Sequence, residues 1–313
     1  MLYLGCHLSA SDGFAAMVRT AEAIGANTCA FFTRNPRGSR AREEDPADAV
    51  RAVEMLQSGG FGPLVAHGAY TMNLCGADPD ARAFAASVLS DDLRRMAALP
   101  GNFYNFHPGS HVKQGVEAAV EYISQALRAA LAPGYPVRVC LETMAGKGTE
   151  VGGNFRELRM ILDAVGSSEV GVCLDTCHVY DGGYDIVNDL DGVLEEFDRV
   201  IGLERLWALH LNDSQNPFSS HKDRHACIGQ GSLGTDTFER IVKHPSLKGK
   251  PMILETPNEL PGYAREIALL RSLETQYRIP GQHRTNASAD LSGSFAPVLQ
   301  FQKWEIHTVF PHF

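Results

Sequence analysis

Six short apolar segments of this chain each end in a histidine or an acidic residue. These terminal residues are His67, His107, Glu142, Asp175, His210 and Glu255. Imidazole nitrogens and carboxylate oxygens, without thiolates, are ligands that suit zinc, manganese or iron. Because the same kind of residue recurs at the same place in six segments, the pattern indicates a shared metal site rather than a hydrophobic core.

The apolar segments alternate with segments of helical periodicity. The predicted strands cover residues 2–7, 27–32, 63–67, 102–107, 137–142, 170–175, 205–211 and 251–255. The predicted helices cover residues 11–24, 46–56, 78–98, 114–131, 154–165, 190–200, 235–242 and 264–275. Ser11 or Asp12 is expected to cap the first helix and Asn154 the fifth.

Eight strand–helix alternations predict an α/β protein built as a single (β/α)8 TIM barrel. In a closed parallel barrel the carboxyl ends of all strands lie on one rim, so the six terminal residues would surround one cavity. We expect this domain to span residues 1–280. Residues 281–313 are predicted to form a C-terminal tail, either disordered or packed on the barrel, because residues 281–293 are polar and lack periodicity.

The composition is that of an ordinary globular protein, with 313 residues of which 44% are hydrophobic and 21% charged. No apolar run approaches the roughly 20 residues of a membrane span, and the amino terminus has no basic region or cleavage site. We therefore expect a cytoplasmic protein without a membrane segment. The seven cysteines are an odd number without a C-x-x-C pair, which predicts reduced thiols in the core.

The net charge of −9 argues, by itself, against a nucleic-acid partner. The distribution of basic residues is more informative than their sum. Eight basic residues lie in segments that follow the predicted strands: Arg34, Arg37, Arg40, Arg42, Lys113, Lys147, Lys222 and Arg224. If those segments share one face, that face can be locally positive while the helical exterior remains acidic.

The number of candidate ligands indicates more than one metal ion. His178 follows Asp175 across a tight turn, and Asp223 and His225 form a second closely spaced pair, which brings the candidates to nine. A tetrahedral zinc ion needs three or four protein ligands, so nine residues predict two or three ions. Glu142, on a middle strand, could bridge two of them.

Clustered divalent ions about 3.5–4 Å apart suit phosphoryl chemistry. One ion would generate a metal-activated hydroxide as the nucleophile, and the others would bind the non-bridging and leaving oxygens. Two alternatives remain open. A metal-dependent sugar isomerase or epimerase uses a similar barrel with fewer ligands, and a non-catalytic metal-binding or DNA-binding scaffold could keep the same fold. The Asp223–His225 pair and the arginine-rich second loop favour the nuclease.

Several segments resemble the endonuclease IV family. They are 7–10 (HLSA), 32–35 (FTRN), 105–111 (NFHPGSH), 141–146 (LETMAG), 170–178 (VGVCLDTCH), 210–213 (HLND), 223–225 (DRH) and 253–256 (ILET). The resemblance runs in order from about residue 2 to residue 275. It implies a trinuclear zinc barrel that hydrolyses double-stranded DNA on the 5′ side of an abasic site, leaves a 3′ hydroxyl, and removes blocking groups from 3′ ends. Apart from the resemblance, we expect a monomer, in which manganese or iron can replace zinc in part.

The resemblance assigns the nine candidates to three ions, with Glu142 as the bridging and catalytic ligand. The implied sets are His67, His107 and Glu142; Glu142, Asp175, His210 and Glu255; and His178, Asp223 and His225. All nine positions have the residue type that the family requires.

The same resemblance implies that Arg37 and Tyr70 enter the DNA stack and hold the abasic nucleotide outside it. An aromatic ring and a guanidinium can fill the gap that a missing base leaves. The chain departs from the family near these residues. Pro36 and Gly38 follow Asn35, and Gly68 and Ala69 follow His67, where the family tends to carry longer or more polar side chains. These departures affect how the protein's side chains insert into the DNA, and they leave the set of metal ligands unchanged.

Overall fold

The computed structural model describes residues 1–38 and 40–275. The strands are β1 (Tyr3–Cys6), β2 (Ala30–Phe32), β3 (Val65–His67), β4 (Phe103–Phe106), β5 (Arg138–Glu142), β6 (Val170–Asp175), β7 (Leu206–His210), β8 (Asp213–Ser214), β9 (His225–Ala226) and β10 (Pro251–Leu254). The predicted tail at residues 281–313, and the last five residues of the predicted domain, lie outside the described residues.

Nine α-helices connect the strands in the described part of the chain. They are α1 (Phe14–Ala23), α2 (Pro46–Ser58), α3 (Pro79–Met96), α4 (Val116–Leu131), α5 (Phe155–Val165), α6 (Thr176–Asp181), α7 (Leu190–Val200), α8 (Thr235–Lys243) and α9 (Leu260–Thr275). Short 3₁₀ turns at Leu203–Arg205 and Pro245–Leu247 precede β7 and β10. In the described segments, no helix combines the length and the apolar character needed to cross a membrane.

Eight parallel strands form one sheet in the order β1-β10-β7-β6-β5-β4-β3-β2. The two outer strands meet through a parallel bridge between His7 and Ala30, where the Leu8 N–H donates to the Ala30 carbonyl at 2.8 Å. This contact brings the two edges of the sheet together. The predicted (β/α)8 barrel is therefore confirmed, with β8 and β9 as an added antiparallel hairpin after β7.

The second strand is shorter than predicted, because Asn27 pairs with β1 through its side chain. Its Oδ1 accepts the Leu4 N–H at 2.9 Å and its Nδ2 donates to the Leu2 carbonyl at 3.1 Å. A side-chain amide thus satisfies backbone groups that a longer strand would otherwise pair. The predicted strand over residues 27–32 accordingly begins at Ala30.

A small apolar cluster fills the inside of the barrel, separate from the larger core between strands and helices. This apolar layer comprises Ala30, Val65, Phe103, Cys140, Cys173, Ala208 and Ile253. Alternate residues of a strand face the same side of a sheet. The apolar layer therefore lies two residues before several of the predicted ligands on the same strands, for example Cys140 before Glu142.

Trp207 closes the apolar layer at its amino end through an irregularity in the sheet. Cys173 pairs with Ala208 while Val172 pairs with Leu206, so Trp207 is an extra residue between the paired positions. Its ring stacks on Phe103 at 5.9 Å between centroids. Gly171 makes room for this ring, because a Cβ atom there would lie 2.5 Å from Trp207 Cδ2.

The two predicted helix caps differ in outcome. Asn154 caps α5 as predicted, with its Oδ1 accepting the Glu157 N–H at 3.1 Å. The prediction of Ser11 or Asp12 as the cap of α1 is wrong, because that helix begins after Gly13. The backbone N–H groups of its first turn donate instead to the Asp48 carboxylate of α2, Phe14 N to Oδ2 at 2.5 Å and Ala15 N to Oδ1 at 3.3 Å. A carboxylate from another helix thus takes the capping role.

All seven cysteines are free thiols. Six are buried and Cys227 is half-buried. This agrees with the prediction that they are core residues rather than a disulfide framework.

Candidate metal centre

The carboxyl-end rim of the barrel brings all nine predicted ligands together in three groups. The groups are His67, His107 and Glu142; Glu142, Asp175, His210 and Glu255; and His178, Asp223 and His225. Within each group the potential ligand atoms lie within 4.8 Å of one another. We call the strand-borne members His67, Glu142, Asp175, His210 and Glu255 the ligand layer, which lies directly above the apolar layer.

Glu142 lies between the first two groups, and each of its oxygens faces a different set of histidines. Oε2 lies 3.2 Å from His67 Nε2 and 3.5 Å from His107 Nε2. Oε1 lies 3.2 Å from His210 Nδ1 and 3.4 Å from His178 Nδ1. A carboxylate in this position has one oxygen for each of two neighbouring cations.

The second group surrounds one nitrogen of His210. Its Nδ1 lies 3.0 Å from Glu255 Oε2 and 3.8 Å from Asp175 Oδ2, in addition to its approach to Glu142. The residues of this group are buried or nearly buried, and they come from β5, β6, β7 and the end of β10. Three carboxylates around one imidazole nitrogen form a compact anionic pocket that suits a divalent cation.

The third group joins α6 to the hairpin β8–β9, two elements that the sequence did not predict. His178 Nε2 lies 3.1 Å from Asp223 Oδ1, and His225 Nε2 lies 3.4 Å from the same oxygen. The turn predicted after Asp175 is a short helix, because Asp175 Oδ1 accepts the His178 N–H at 2.9 Å and caps it. Asp175 thus orients His178 while its other oxygen faces the second group.

Backbone carbonyls fix the orientation of three of the imidazoles. His67 Nδ1 lies 2.7 Å from the Gly68 oxygen, His178 Nδ1 lies 2.8 Å from the Thr143 oxygen, and His225 Nδ1 lies 3.2 Å from the Glu255 oxygen. A carbonyl oxygen only accepts, so Nδ1 carries the hydrogen in each case. Each Nε2 is then left with a lone pair for a metal, in the arrangement typical of metal-ligating histidines.

The surroundings of His225 Nε2 fit a divalent metal better than a direct hydrogen bond. Two donors on a tetrahedral zinc ion lie about 3.3 Å apart, since each is about 2.0–2.1 Å from the ion. His225 Nε2 is buried without a hydrogen-bond partner, at 3.4 Å from Asp223 Oδ1 and 3.8 Å from Asp175 Oδ2. A buried lone pair between two carboxylates, too distant to bond either, is satisfied by a cation.

The electrostatics favour the anionic form of Glu142 and Glu255, whereas burial raises the pKa of Asp175. Burial raises the pKa of Glu142, but His210 and His107 outweigh burial and hold that pKa well below its ordinary value. Burial also raises the pKa of Glu255, but His210 outweighs burial and holds that pKa well below its ordinary value. For His107 burial dominates and lowers the pKa to about 4, so this imidazole is neutral at pH 7.

His178 behaves in the opposite way. Burial lowers the pKa of His178, but the carboxylates of Asp175 and Asp223 outweigh burial and raise the pKa well above the ordinary value. In the absence of a cation, these carboxylates therefore favour a second proton on this imidazole, at the Nε2 that faces Asp223. A cation that binds here must displace that proton, so binding weakens as the pH falls.

Cys177 belongs to an additional group with Asp175 and His225. Burial raises the pKa of its thiol, so it remains protonated near neutral pH and is a poor ligand beside the carboxylates. This agrees with the prediction that the cysteines are reduced thiols in the core.

The two predicted DNA-inserting residues lie on adjacent loops beside the first group. Tyr70 is 56% exposed, and its ring lies 5.7 Å from both His67 and His107. Its backbone N–H donates to the Pro36 carbonyl at 3.1 Å, which ties it to the loop that carries the exposed Arg37. The Tyr70 ring therefore stands at the mouth of the cavity, and Arg37 lies on the loop joined to it.

Arg34 does not contribute to a positive face as the sequence had suggested. Its guanidinium is buried and pairs with Asp92 Oδ1 at 2.7 Å and Asp91 Oδ2 at 2.9 Å, both on α3. Tyr104 donates to the second oxygen of Asp92 at 2.7 Å. Arg34 therefore anchors its loop to the helix, and Arg37 and Arg40 remain exposed.

Sequence reasoning missed several residues that hold the ligands. His7 Nε2 lies 2.8 Å from Glu255 Oε1, Asn105 Nδ2 donates to Glu142 Oε2 at 2.6 Å, and Asn212 Nδ2 donates to Asp175 Oδ2 at 2.6 Å. The signal for His7 was present, because it also ends an apolar segment, the first of the chain. Asn105 lies two residues from both Phe103 and His107, so strand alternation already placed it inside the barrel.

Comparisons with known proteins agree with this geometry. Residues 18–273 match the family described as a xylose isomerase-like TIM barrel. The chain is 57% identical over 272 residues to a probable endonuclease 4 of Alkaliphilus oremlandii, which covers 87% of this chain and 97% of that protein. It is 56% identical over 274 residues to a probable endonuclease 4 of Clostridium beijerinckii, with 87% and 99% covered.

Solved structures give the same result. The crystal structure of endonuclease IV from Thermus thermophilus superposes with a TM-score of 0.77 at 36% identity, covering 87% of this chain and 98% of that one. A D-tagatose 3-epimerase-like protein superposes with a TM-score of 0.67 at 15% identity, covering 87% and 97%, which shows a shared fold alone. The barrel, the order of its motifs and these relatives agree: the chain belongs to the endonuclease IV family.

Proposed function

We propose that this chain is a metal-dependent DNA repair endonuclease that hydrolyses the phosphodiester on the 5′ side of an abasic site and leaves a 3′ hydroxyl. We extend the proposal to the removal of blocking groups from 3′ ends. The observation that carries it is the convergence of nine ligand-type residues in three groups that adjoin at Glu142. This convergence occurs on a chain that is 57% identical over 272 residues to one probable endonuclease 4 and 56% identical over 274 residues to another.

We infer that the three groups hold three zinc ions, with manganese or iron able to replace zinc in part. The donor set supports this inference, because imidazole and carboxylate ligands in closed groups of three or four suit zinc. When bound, such ions lower the pKa of water to supply hydroxide and stabilise the charge that develops on the phosphate and leaving oxygens. The chain needs no serine or cysteine nucleophile for this reaction.

The protein itself orients and insulates the reacting groups. Glu142, with both oxygens engaged and its side chain fully buried, fixes the separation of the first two groups. Among the five histidines that are predicted ligands, His107 is the most exposed to solvent, with 27% of its side chain exposed. This half-open edge of the first group faces Tyr70, so the target phosphate is expected to enter on that side.

Tyr70 and Arg37 are proposed to recognise the damaged strand rather than to take part in hydrolysis. An abasic site has lost one base from its stack, so displacing its sugar costs less than displacing an intact nucleotide. The exposed aromatic ring and the exposed guanidinium on linked loops are suited to fill that gap. We place the enzyme in the cytoplasm as a monomer acting on double-stranded DNA.

A single incubation tests the proposal. A duplex with one tetrahydrofuran abasic analogue is mixed with the protein, with and without a strong chelator. We expect cleavage one phosphate 5′ to the lesion, a 3′ hydroxyl product, and loss of cleavage with chelator. An intact duplex of the same sequence is the control. A protein that retains its metal but leaves the lesion uncut would contradict the proposal and direct attention to sugar epimerisation.

A further inference from the structure

One buried carboxylate beside the metal centre is not a predicted ligand. Asp181 is the last residue of α6, three positions after His178, and it is fully buried. It belongs to none of the ligand groups described above. Because a buried carboxylate requires hydrogen-bond donors, the donors that surround it show what it holds in place.

The three donors to the Asp181 carboxylate all come from the segment 214–223. Ser214 Oγ donates to Oδ1 at 2.7 Å, and Asn216 Nδ2 donates to Oδ2 at 3.0 Å. The backbone N–H of Asp223 donates to the same Oδ2 at 3.0 Å. The carboxylate therefore joins both ends of the loop between β8 and β9, and one end is itself a predicted ligand.

The backbone of this loop adopts conformations that side-chain-bearing residues rarely take. Ser219, His221 and Asp223 have φ angles of 58°, 53° and 58°, in the left-handed region. Such residues keep these angles only where their surroundings fix them. Here α6 provides the fixing contacts, since the His221 N–H donates to the Asp181 carbonyl at 3.0 Å and the Ser219 N–H to the Tyr180 carbonyl at 3.2 Å.

We propose that Asp181 is the positioning residue that holds Asp223 and His225 against His178. The inference rests on the proposed metal centre and deepens it. His178 stands on α6, whereas its two partners stand on the loop and on β9, so the third group forms only when the loop is tied to the helix. Without Asp181, Asp223 loses the acceptor for its N–H and relaxes towards an ordinary φ, which carries its carboxylate away from His178.

The test measures metal affinity in Asp181→Ala, with Asp48→Ala as the matched control. Asp48 is also a buried carboxylate that accepts backbone N–H groups from another element, at Phe14 and Ala15. Purified proteins are titrated with zinc against a chromophoric chelator, and bound zinc is counted by mass spectrometry. We expect about three equivalents in the wild type and in Asp48→Ala. In Asp181→Ala we expect one equivalent to bind about 10–100-fold more weakly, as is typical when a supporting partner of a ligand is lost.

Two further measurements separate positioning from general damage. Excess zinc should restore the third equivalent in Asp181→Ala, which unfolding would not allow. Asn216→Ala removes one donor and keeps the carboxylate, so it should weaken binding of the same zinc equivalent several-fold. If Asp181→Ala does not fold, Asn216→Ala serves as the test variant instead.

Two results would overturn the inference. In the first, the folded test variant binds all three zinc equivalents as tightly as the wild type. In the second, the folded test variant loses all three equivalents together. A wild type without metal overturns the proposed function as well.

Discussion

Two layers of side chains lie inside the barrel, two residues apart on the same strands. The apolar layer holds small residues such as Val65, Cys140 and Ala208, which fill the interior. The ligand layer above it holds His67, Glu142 and His210 on those same strands, with side chains that are almost fully buried. The backbone presents both layers in the same way, so the difference lies in what each side chain requires from its surroundings.

The comparison teaches where stability and function separate. A residue of the apolar layer requires only neighbours of the right volume, and the fold supplies them. A residue of the ligand layer brings a buried charge or lone pair that its neighbours satisfy only in part, as Asp175 illustrates, because burial raises the pKa of its carboxyl despite the histidines around it. The apolar layer should therefore determine stability without metal, and the ligand layer should determine stability and activity with it.

Removal of metal is the largest expected perturbation. Dialysis against a strong chelator should abolish DNA cleavage and lower the melting temperature by on the order of 10 °C. Metal ions at concentrations far above their dissociation constants add about 4 kcal/mol or more to the free energy of unfolding. For a protein of this size, each kcal/mol raises the melting temperature by about 2–4 °C. Calorimetry before and after chelation measures the shift, and added zinc should reverse it. An unchanged melting temperature after verified metal loss would show that the ligand layer is stable by itself.

Glu142→Gln is the largest expected effect of a single substitution. The amide keeps the shape of the side chain, but its NH₂ group presents a donor where a cation requires an oxygen lone pair. We expect cleavage to fall by about three orders of magnitude or more, on the order of 4 kcal/mol of barrier, while circular dichroism shows a folded barrel. Single-turnover kinetics on the abasic duplex measure the loss.

Cys140→Ala is the matched control for Glu142→Gln, since it lies two residues earlier on the same strand and faces the same interior. Loss of one buried sulfur should reduce the free energy of unfolding by roughly 1 kcal/mol and leave zinc content and cleavage intact. Near-normal cleavage by Glu142→Gln, or metal loss in Cys140→Ala, would contradict the separation of the two layers.

Gly171→Ala perturbs the apolar layer by adding volume instead of removing it. A methyl group would lie 2.5 Å from Trp207 Cδ2 and 2.6 Å from the Arg205 carbonyl oxygen, so the ring or the strand must move. We expect the free energy of unfolding to fall by about 1–3 kcal/mol, measured by urea denaturation. Because Trp207 lies at the amino end of the layer, cleavage per folded molecule should stay within about two-fold. A larger loss would mean that the layers are mechanically coupled.

The sequence was sufficient to predict whatever follows from strand periodicity and barrel closure. The short, buried, β-branched runs predicted the strands, and the closed sheet brings their terminal residues together as expected. β6 at Val170–Asp175 and α7 at Leu190–Val200 were predicted to the residue. Both have unambiguous patterns, a continuous apolar run in the first and a strongly amphipathic helix in the second.

The features that the sequence could not predict depend on contacts between distant segments. α6 was missed because its capping residue, Asp175, was considered only as a ligand, and its six residues are too few for periodicity to show. The cap of α1 comes from Asp48, 34 residues beyond Phe14. Arg34 looked like a surface charge until α3 placed Asp91 and Asp92 beside it. Partners of this kind are set by packing, which no local pattern encodes.

Asp91 offers the smallest and most discriminating test, because its charge is partly exposed and paired by arginines rather than enclosed in the ligand layer. Burial raises its pKa, but the hydrogen bonds from Arg95, Arg94 and Arg34 together outweigh burial and lower the pKa to about 2 from 3.8. A lowered folded-state pKa contributes stability that is present above about pH 4 and is lost as the pH falls towards 2. Solvent screening limits this contribution to about 1 kcal/mol or less.

The expected result is a small stability difference between the wild type and Asp91→Asn that depends on pH. Near pH 6 the wild type should be more stable by about 1 kcal/mol or less, and near pH 3 the difference should shrink, as measured by urea denaturation of metal-free protein at both pH values. Zinc content at pH 7 should be equal in the two proteins, because Asp91 lies on α3, outside the ligand groups. A pH-independent difference would mean that Asp91 acts through packing rather than charge. Loss of zinc in the variant would mean that the loop anchored by Arg34 supports the ligand layer. The ion pairs on α3 and the metal ligands inside the barrel would then be energetically coupled.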